Sequence, residues 1–279
     1  MSGVANVEIW SGKARGDENF PVGSVLIRHN LRRHIHAFYS FARNADDIAD
    51  SPDLDPADKV ARLDRMQAVL LGEADPDVAP SAAALRVSLA ATRVSPVHAT
   101  DLLIAFRRDA TKLRYETWEE LHNYCRYSAM PVGRHVLDLH GEGRGTWGAS
   151  DSLCTALQVV NHLQDCAVDL ATLDRCYVPR VLLENYGASV EDLRRDATTP
   201  ALRGTFNALL AMTDSLNANA MALPRRVRAR RLRVETAIIV GLSRRLAQRL
   251  RFQDPLARRV KLRGPDVIAS VLSALWFLR

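Results

Sequence analysis

Residues 152–172 read SLCTALQVVNHLQDCAVDLAT, and from Thr146 through Asp174 the chain carries no Lys or Arg. Leu153, Ala156, Leu157, Val159, Val160, Leu163, Ala167, Val168 and Leu170 recur at threes and fours, the period of a helix rather than a strand. Asn161, Asp165 and Asp169 stand four apart and share one stripe of that helix, which Gln158 and Cys154 continue upward. A surface helix normally mixes in basic residues. This one reads as mostly buried, yet it keeps aligned carboxylates.

A second stripe lies over residues 34–50. Tyr39, Arg43, Asp46 and Asp50 follow steps of four, three and four, with His36 at the edge and Asp47 beside them. The other faces carry Ile35, Phe38, Phe41, Ala42, Ala45, Ile48 and Ala49. Burying ionised carboxylates without a partner costs several kcal/mol each. They must be neutralised, protonated or bound to a cation. Aspartates joined by an amide oxygen suit a hard divalent ion such as Mg²⁺, which takes few protein oxygens and completes its shell with water and phosphate. The expectation is that the two helices face each other across a cavity and that their Mg²⁺ ions hold a diphosphate. A single Asp-xxx-Asp would read as a solvated face. A carboxylate dyad for glycoside chemistry would not need so many aligned acids.

The rest of the chain sets the frame. It has 279 residues, 47% hydrophobic and 25% charged, which suits a globular protein and excludes a disordered one. Helices are expected over roughly 30–50, 57–71, 80–93, 97–112, 117–140, 151–172, 190–196, 200–222, 225–251 and 265–278. No repeat or linker divides the chain, so residues 1–279 read as one all-α domain. Pro131 is expected to kink the helix over 117–140, with Ala129 and Gly133 leaving room beside it. That room serves either close helix packing or the wall of a pocket for a long apolar ligand. The four Cys (125, 154, 166 and 176) match no CxxC pattern, and a reducing cytosol is the simpler reading. The first residues, MSGVANVEIW, lack the basic start and apolar run of a signal peptide.

Charge is uneven. Between Leu223 and Arg263 there are fourteen Lys/Arg and two acids, a local +12, so with a total of +6 the remainder is 6 − 12 = −6. The basic arm reads as a solvated helix face, or functionally as a surface attracted to anionic membrane. No recognised nucleic-acid motif accompanies it. Val267 to Leu278 is nearly all apolar but about half the length of a bilayer span. The expectation there is a core helix, with membrane-surface contact as the alternative.

Together these pieces resemble the squalene and phytoene synthase family of head-to-head prenyl synthases. The carriers are Phe38 through Asp50, Tyr124 through Gly133, Asn161 through Asp169, and Arg175-Cys176-Tyr177-Val178-Pro179. Glu18 through Ser24, Ala42 through Asp47 and Ser128 through Gly133 bring the likeness nearer to the hydroxysqualene synthase branch of bacterial hopanoid biosynthesis. Two positions depart. Glu18-Asn19-Phe20-Pro21 replaces the Ser-rich opening common in phytoene and dehydrosqualene synthases, and Met130 stands where this branch would have Asn.

The resemblance implies the isoprenoid-synthase fold, a helical bundle around a central cavity. It implies Mg²⁺ on Asp46, Asp50, Asn161, Asp165 and Asp169. Arg43 and Arg175 would add positive charge near the diphosphate. Tyr39, Tyr124 and Gln158 would face the reacting carbons, and Phe20, Phe38, Ala129, Val132 and Gly133 would contact the hydrocarbon. The implied reaction takes presqualene diphosphate and water to hydroxysqualene, with no NADPH. Presqualene diphosphate, squalene and phytoene synthases are the rivals, acting on farnesyl or geranylgeranyl diphosphate. The implied setting is cytoplasmic, with loose membrane association and functional coupling to a presqualene diphosphate synthase.

Overall fold

The structure is a computed structural model that describes residues 6–9 and 26–278. Twelve α-helices occur among the described residues. They are α1 (His29–Asp50), α2 (Pro56–Leu71), α3 (Pro80–Thr92), α4 (Val97–Thr111), α5 (Trp118–Ser128), α6 (Met130–Leu139), α7 (Trp147–Leu173), α8 (Arg180–Asn185), α9 (Pro200–Ala220), α10 (Leu223–Arg226), α11 (Arg230–Phe252) and α12 (Gly264–Ala274). The described residues contain no strand, only a lone bridge between Arg114 and Cys176.

The chain groups into two compact units, Met1–Thr111 with Arg134–Gly141, and Lys112–Gly133 with Glu142–Arg279. In the first, α1 packs on α2, α3 and α4. Its inward face is Ile35, Phe38, Phe41, Ala45, Ile48 and Ala49, all buried as the periodicity predicts. The start of α2 is set by Asp55, whose carboxylate accepts the Asp58 N–H, with Pro56 at the first helical position. Its end falls at Gly72, where φ of 85° lies in the left-handed region that glycine tolerates. Residues 6–9 are tied in through Val7, whose N–H donates to the Val78 carbonyl at 2.9 Å.

In the second unit α7 packs on α5, α9 and α11, and α11 carries α12. The long run predicted over 117–140 is two helices. Ala129, at φ −125° and ψ −47°, ends α5. Pro131 then occupies the first turn of α6, where its missing N–H costs nothing. The helix predicted over 225–251 is likewise interrupted at residues 227–229. There the buried Glu142 carboxylate accepts the Arg228 N–H at 2.9 Å and the Ala229 N–H at 2.8 Å, capping α11 from a distant loop. The segment 190–196 is a 3₁₀ turn, Val190–Arg194, and α8 was not expected. The helix predicted as core over 265–278 has its apolar side in solvent: Ile268, Leu272 and Trp276 are 61%, 62% and 69% exposed. A run of apolar residues carries no record of whether a partner helix covers it.

In the first unit the His135 ring is 1% exposed and stacks on Phe38 at 3.9 Å. Neither ring nitrogen has a hydrogen-bond partner. Burial first, then the nearby His98 and His34, pushes its pKa down to about 3. The unfolded chain therefore takes up this proton first as pH falls from about 6.5, and stability is lost through that window down to about 3. His135→Phe should flatten this loss. Between pH 6.5 and 5 the variant's urea-unfolding free energy should fall by about 2 kcal/mol less than wild type. Equal slopes would contradict the assignment.

Candidate active site

The α1 stripe lies on the partly exposed side of the first unit. Tyr39, Arg43, Asp46 and Asp50 are all half-buried. The Arg43 guanidinium spans two carboxylates, reaching Asp46 at 3.0 Å and Asp47 at 2.9 Å. These two acids differ. The Asp46 side chain is 35% exposed, whereas that of Asp47 is 3% exposed. Asp47, read from spacing as sitting beside the stripe, points inward instead, because Arg43 one turn before it supplies the charge that burial demands. Phe38 is 4% exposed and packs on His135. Phe20 lies outside the described residues.

On α7, Asn161, Asp165 and Asp169 line one half-buried stripe, as their spacing predicts. The flanks of that stripe are buried: His162, Leu163, Gln164, Cys166 and Leu170. Asp165 is gripped by Arg259, whose Nε meets Oδ1 at 2.8 Å and whose Nη2 meets Oδ2 at 2.9 Å, a bidentate pair. Asp174, at φ 50°, ends the helix, and the next residue, Arg175, donates its N–H to the Asp169 carbonyl at 3.2 Å.

Behind this stripe is an aromatic cluster. His162 stacks on Tyr177 with ring centroids 3.6 Å apart, and Tyr124 of α5 lies 5.3 Å from Tyr177. Tyr115 completes it, 5.2 Å from Tyr124. Gln158 approaches the His162 Nε2 at 3.2 Å; with its amide donating there, the ring proton sits on Nδ1. Burial, reinforced by the Arg175 charge, pushes the His162 pKa down to about 3, so the ring is neutral at pH 7. Tyr124, Gln158 and Arg175, expected on three separate segments, thus converge on one histidine. Sequence reading passed over His162, Tyr177 and Arg259. The first two sit inside segments quoted for other reasons, and Arg259 is 94 residues from its partner on a loop with no periodicity to reveal it.

Ala129 is buried and Val132 half-buried. Gly133, expected as a hydrocarbon contact, is filled from α7: a Cβ there would stand 2.4 Å from Ser150 Oγ and 2.7 Å from Cys154 Sγ. Close helix packing accounts for this glycine, and Cys154 serves that contact. A cavity of about 810 Å³ opens elsewhere in the second unit, among Asn217, Met221, Val240, Arg244 and Phe277, and no stripe residue lines it. No disulfide joins the four cysteines, and burial raises the thiol pKa of Cys166 to about 12 and of Cys176 to about 11, which leaves these two inert as nucleophiles.

Among the described residues no three His, Cys, Asp or Glu side chains converge into a metal cage. Each stripe offers instead two or three oxygen donors along a helix face. That donor set fits Mg²⁺, which keeps several waters and takes further oxygens from a substrate phosphate.

The two acids of α1 should separate in stability. Asp47→Ala should cost about 1–3 kcal/mol in urea unfolding, since it strips a buried partner from Arg43. Asp46→Ala, at an accessible site, should cost less than about 1 kcal/mol. The reverse order would overturn the assignment of Asp47 as the structural acid.

The squalene/phytoene synthase family matches residues 13–266. A hydroxysqualene synthase of Rhodopseudomonas palustris is 46% identical over 268 residues, covering 96% of this chain and 91% of the relative. Another, from Sinorhizobium fredii, is 44% identical over 259 residues, covering 93% and 88%. Among solved structures, squalene synthase HpnC from Alicyclobacillus acidocaldarius superposes with a TM-score of 0.75 at 35% identity, covering 86% of this chain and 90% of its own. With its helices, its two carboxylate stripes and these likenesses, the chain belongs to the squalene/phytoene synthase family and has the all-α isoprenoid-synthase fold.

Proposed function

We propose that this enzyme converts presqualene diphosphate and water to hydroxysqualene and diphosphate, with Mg²⁺ held by Asp46 and Asp50 of α1 and by Asn161, Asp165 and Asp169 of α7. The observation that carries the reading is the α7 stripe. Two carboxylates and an amide stay half-buried on a helix that buries Leu163, Gln164, Cys166 and Leu170 beside them and carries no Lys or Arg. Identities of 46% and 44% with hydroxysqualene synthases, over nearly the whole chain, support the choice of reaction.

Bound Mg²⁺ supplies charge neutralisation that makes diphosphate a workable leaving group. The chain's own residues do the rest. Arg43 and Arg175 add fixed positive charge for the departing oxygens. Arg43, paired with Asp46 and Asp47, and Arg259, paired with Asp165, would stand beside the acids that hold Mg²⁺ and add positive charge there. Tyr39 and Tyr124 present ring faces to the cyclopropylcarbinyl cation, a contact worth up to ~2 kcal/mol. Phe20, Phe38, Ala129 and Val132 contact the hydrocarbon and exclude bulk water. His162 is held neutral, so it brings no competing positive charge beside that cation. A single admitted water attacks the opened cation and gives up a proton to the released diphosphate, and no NADPH is required because no hydride is delivered. The substrate comes from a presqualene diphosphate synthase acting on farnesyl diphosphate, and the reaction belongs to the cytoplasm.

Purified protein should form hydroxysqualene from presqualene diphosphate with Mg²⁺ and without NADPH, and should leave farnesyl diphosphate untouched. Conversion of farnesyl diphosphate to presqualene diphosphate or phytoene-type products would overturn the reading. Asp46→Ala and Asp165→Ala should each lower kcat by ~1000-fold with helical circular dichroism retained. Near-wild-type turnover in both would remove the Mg²⁺ assignment.

A further inference from the structure

Helix α12 lies on α11 by one side only. Gly241 of α11 lets the contact close, since a Cβ there would stand 3.0 Å from Ser270 Oγ and 3.1 Å from Ser270 Cβ. Asp266 clamps the first turn. Its carboxylate accepts the Arg263 N–H at 2.8 Å and pairs with Arg249 at 2.6 Å. Asp266, Ser270 and Ala274, at steps of four, are the buried residues of the helix. The opposite side carries Val267, Ile268, Val271 and Leu272, continued by Leu275 and Trp276 in the 3₁₀ turn that follows, all between 37% and 69% exposed. Their steps of one and three confine them to about half the helix circumference. Phe252, at the end of α11, is 82% exposed. Scattered exposed apolar side chains are ordinary, but a contiguous face marks an interaction surface.

The surroundings say what that surface meets. The segment leading into α12 exposes Arg258, Lys261 and Arg263, and α11 exposes Arg244. The acids nearby are spoken for. Asp266 is buried against Arg249, and Asp254 accepts the Thr198 N–H at 2.8 Å and the Leu256 N–H at 2.9 Å. A second copy docked on the same face by two-fold symmetry would set these cations against one another. An exposed apolar face next in sequence to exposed cations matches instead an anionic lipid surface, where each exposed cation adds attraction. No described helix is long and apolar enough to cross a membrane, so the contact is in the plane of the headgroups. We propose that α12 docks on an anionic bilayer, with Ile268, Leu272 and Trp276 sunk between the lipids and Arg258, Lys261 and Arg263 on their phosphates. This inference does not rest on the reaction assigned above.

The test uses the full chain and vesicles of phosphatidylcholine with or without phosphatidylglycerol. Wild type should float with the phosphatidylglycerol vesicles at low salt and be released at high salt. Ile268→Asp/Leu272→Asp should weaken this binding at least tenfold while turnover in detergent is unchanged, and Arg258→Glu/Lys261→Glu should weaken it several-fold. Acyl-chain bromination should quench wild-type tryptophan fluorescence, and Trp276→Phe should remove most of that quenching. The quenching arm keeps the proposal testable even if the aspartate pair fails to fold. Absence of flotation, salt-insensitive binding to neutral vesicles, or unaltered binding of the aspartate pair would overturn it. So would a dimer that the aspartate pair dissociates.

Discussion

A carboxylate leaves water only against a matching charge or a set of N–H donors, and this chain buries several. The solutions are local and different. Asp47 goes inward because Arg43 goes with it. Glu142 is buried because it terminates α11, accepting two backbone N–H groups. Asp266 is buried against Arg249 and thereby fastens α12 to α11. Asp46 on α1 and Asp165 on α7 remain partly accessible, each paired with an arginine. The acids that build the molecule are thus distinct from those left accessible on the stripes, and burial rather than spacing distinguishes them.

Most of the architecture was legible because apolar periodicity and Pro/Gly punctuation act within a few residues. The starts of α2 and α9 follow from Asp55-Pro56 and Thr199-Pro200, and their limits are close to those expected. The errors fall where a distant group intervenes. The gap before α11 exists because Glu142 reaches it from 86 residues away. The break at Ala129 turns a predicted kink into two helices, since Pro131 fits a first turn better than an interior. Gly133 left two readings open, and only Ser150 and Cys154 on α7 decide for packing.

At the site, both stripes were legible as stripes, because i+4 spacing on an apolar helix is a local signal. The aromatic set behind α7 was not. Tyr115, Tyr124 and Tyr177 come from three segments and meet His162 only in the folded unit. Arg259 was seen as one charge of a basic arm, whereas it is the bidentate partner of Asp165. The arm is therefore more than a solvated face: Arg259 pairs with the Asp165 carboxylate, while its neighbours Arg258, Lys261 and Arg263 stay exposed in the segment leading into α12.

We propose that Asp46 and Asp165 each take a cation and, through it, a diphosphate. Calorimetric titration with pyrophosphate, with and without MgCl₂, tests it without turnover. Pyrophosphate should bind only when Mg²⁺ is present, and Asp46→Asn or Asp165→Asn should weaken that binding at least tenfold. Pyrophosphate binding that is equal without Mg²⁺, or unaltered in both variants, would contradict the account.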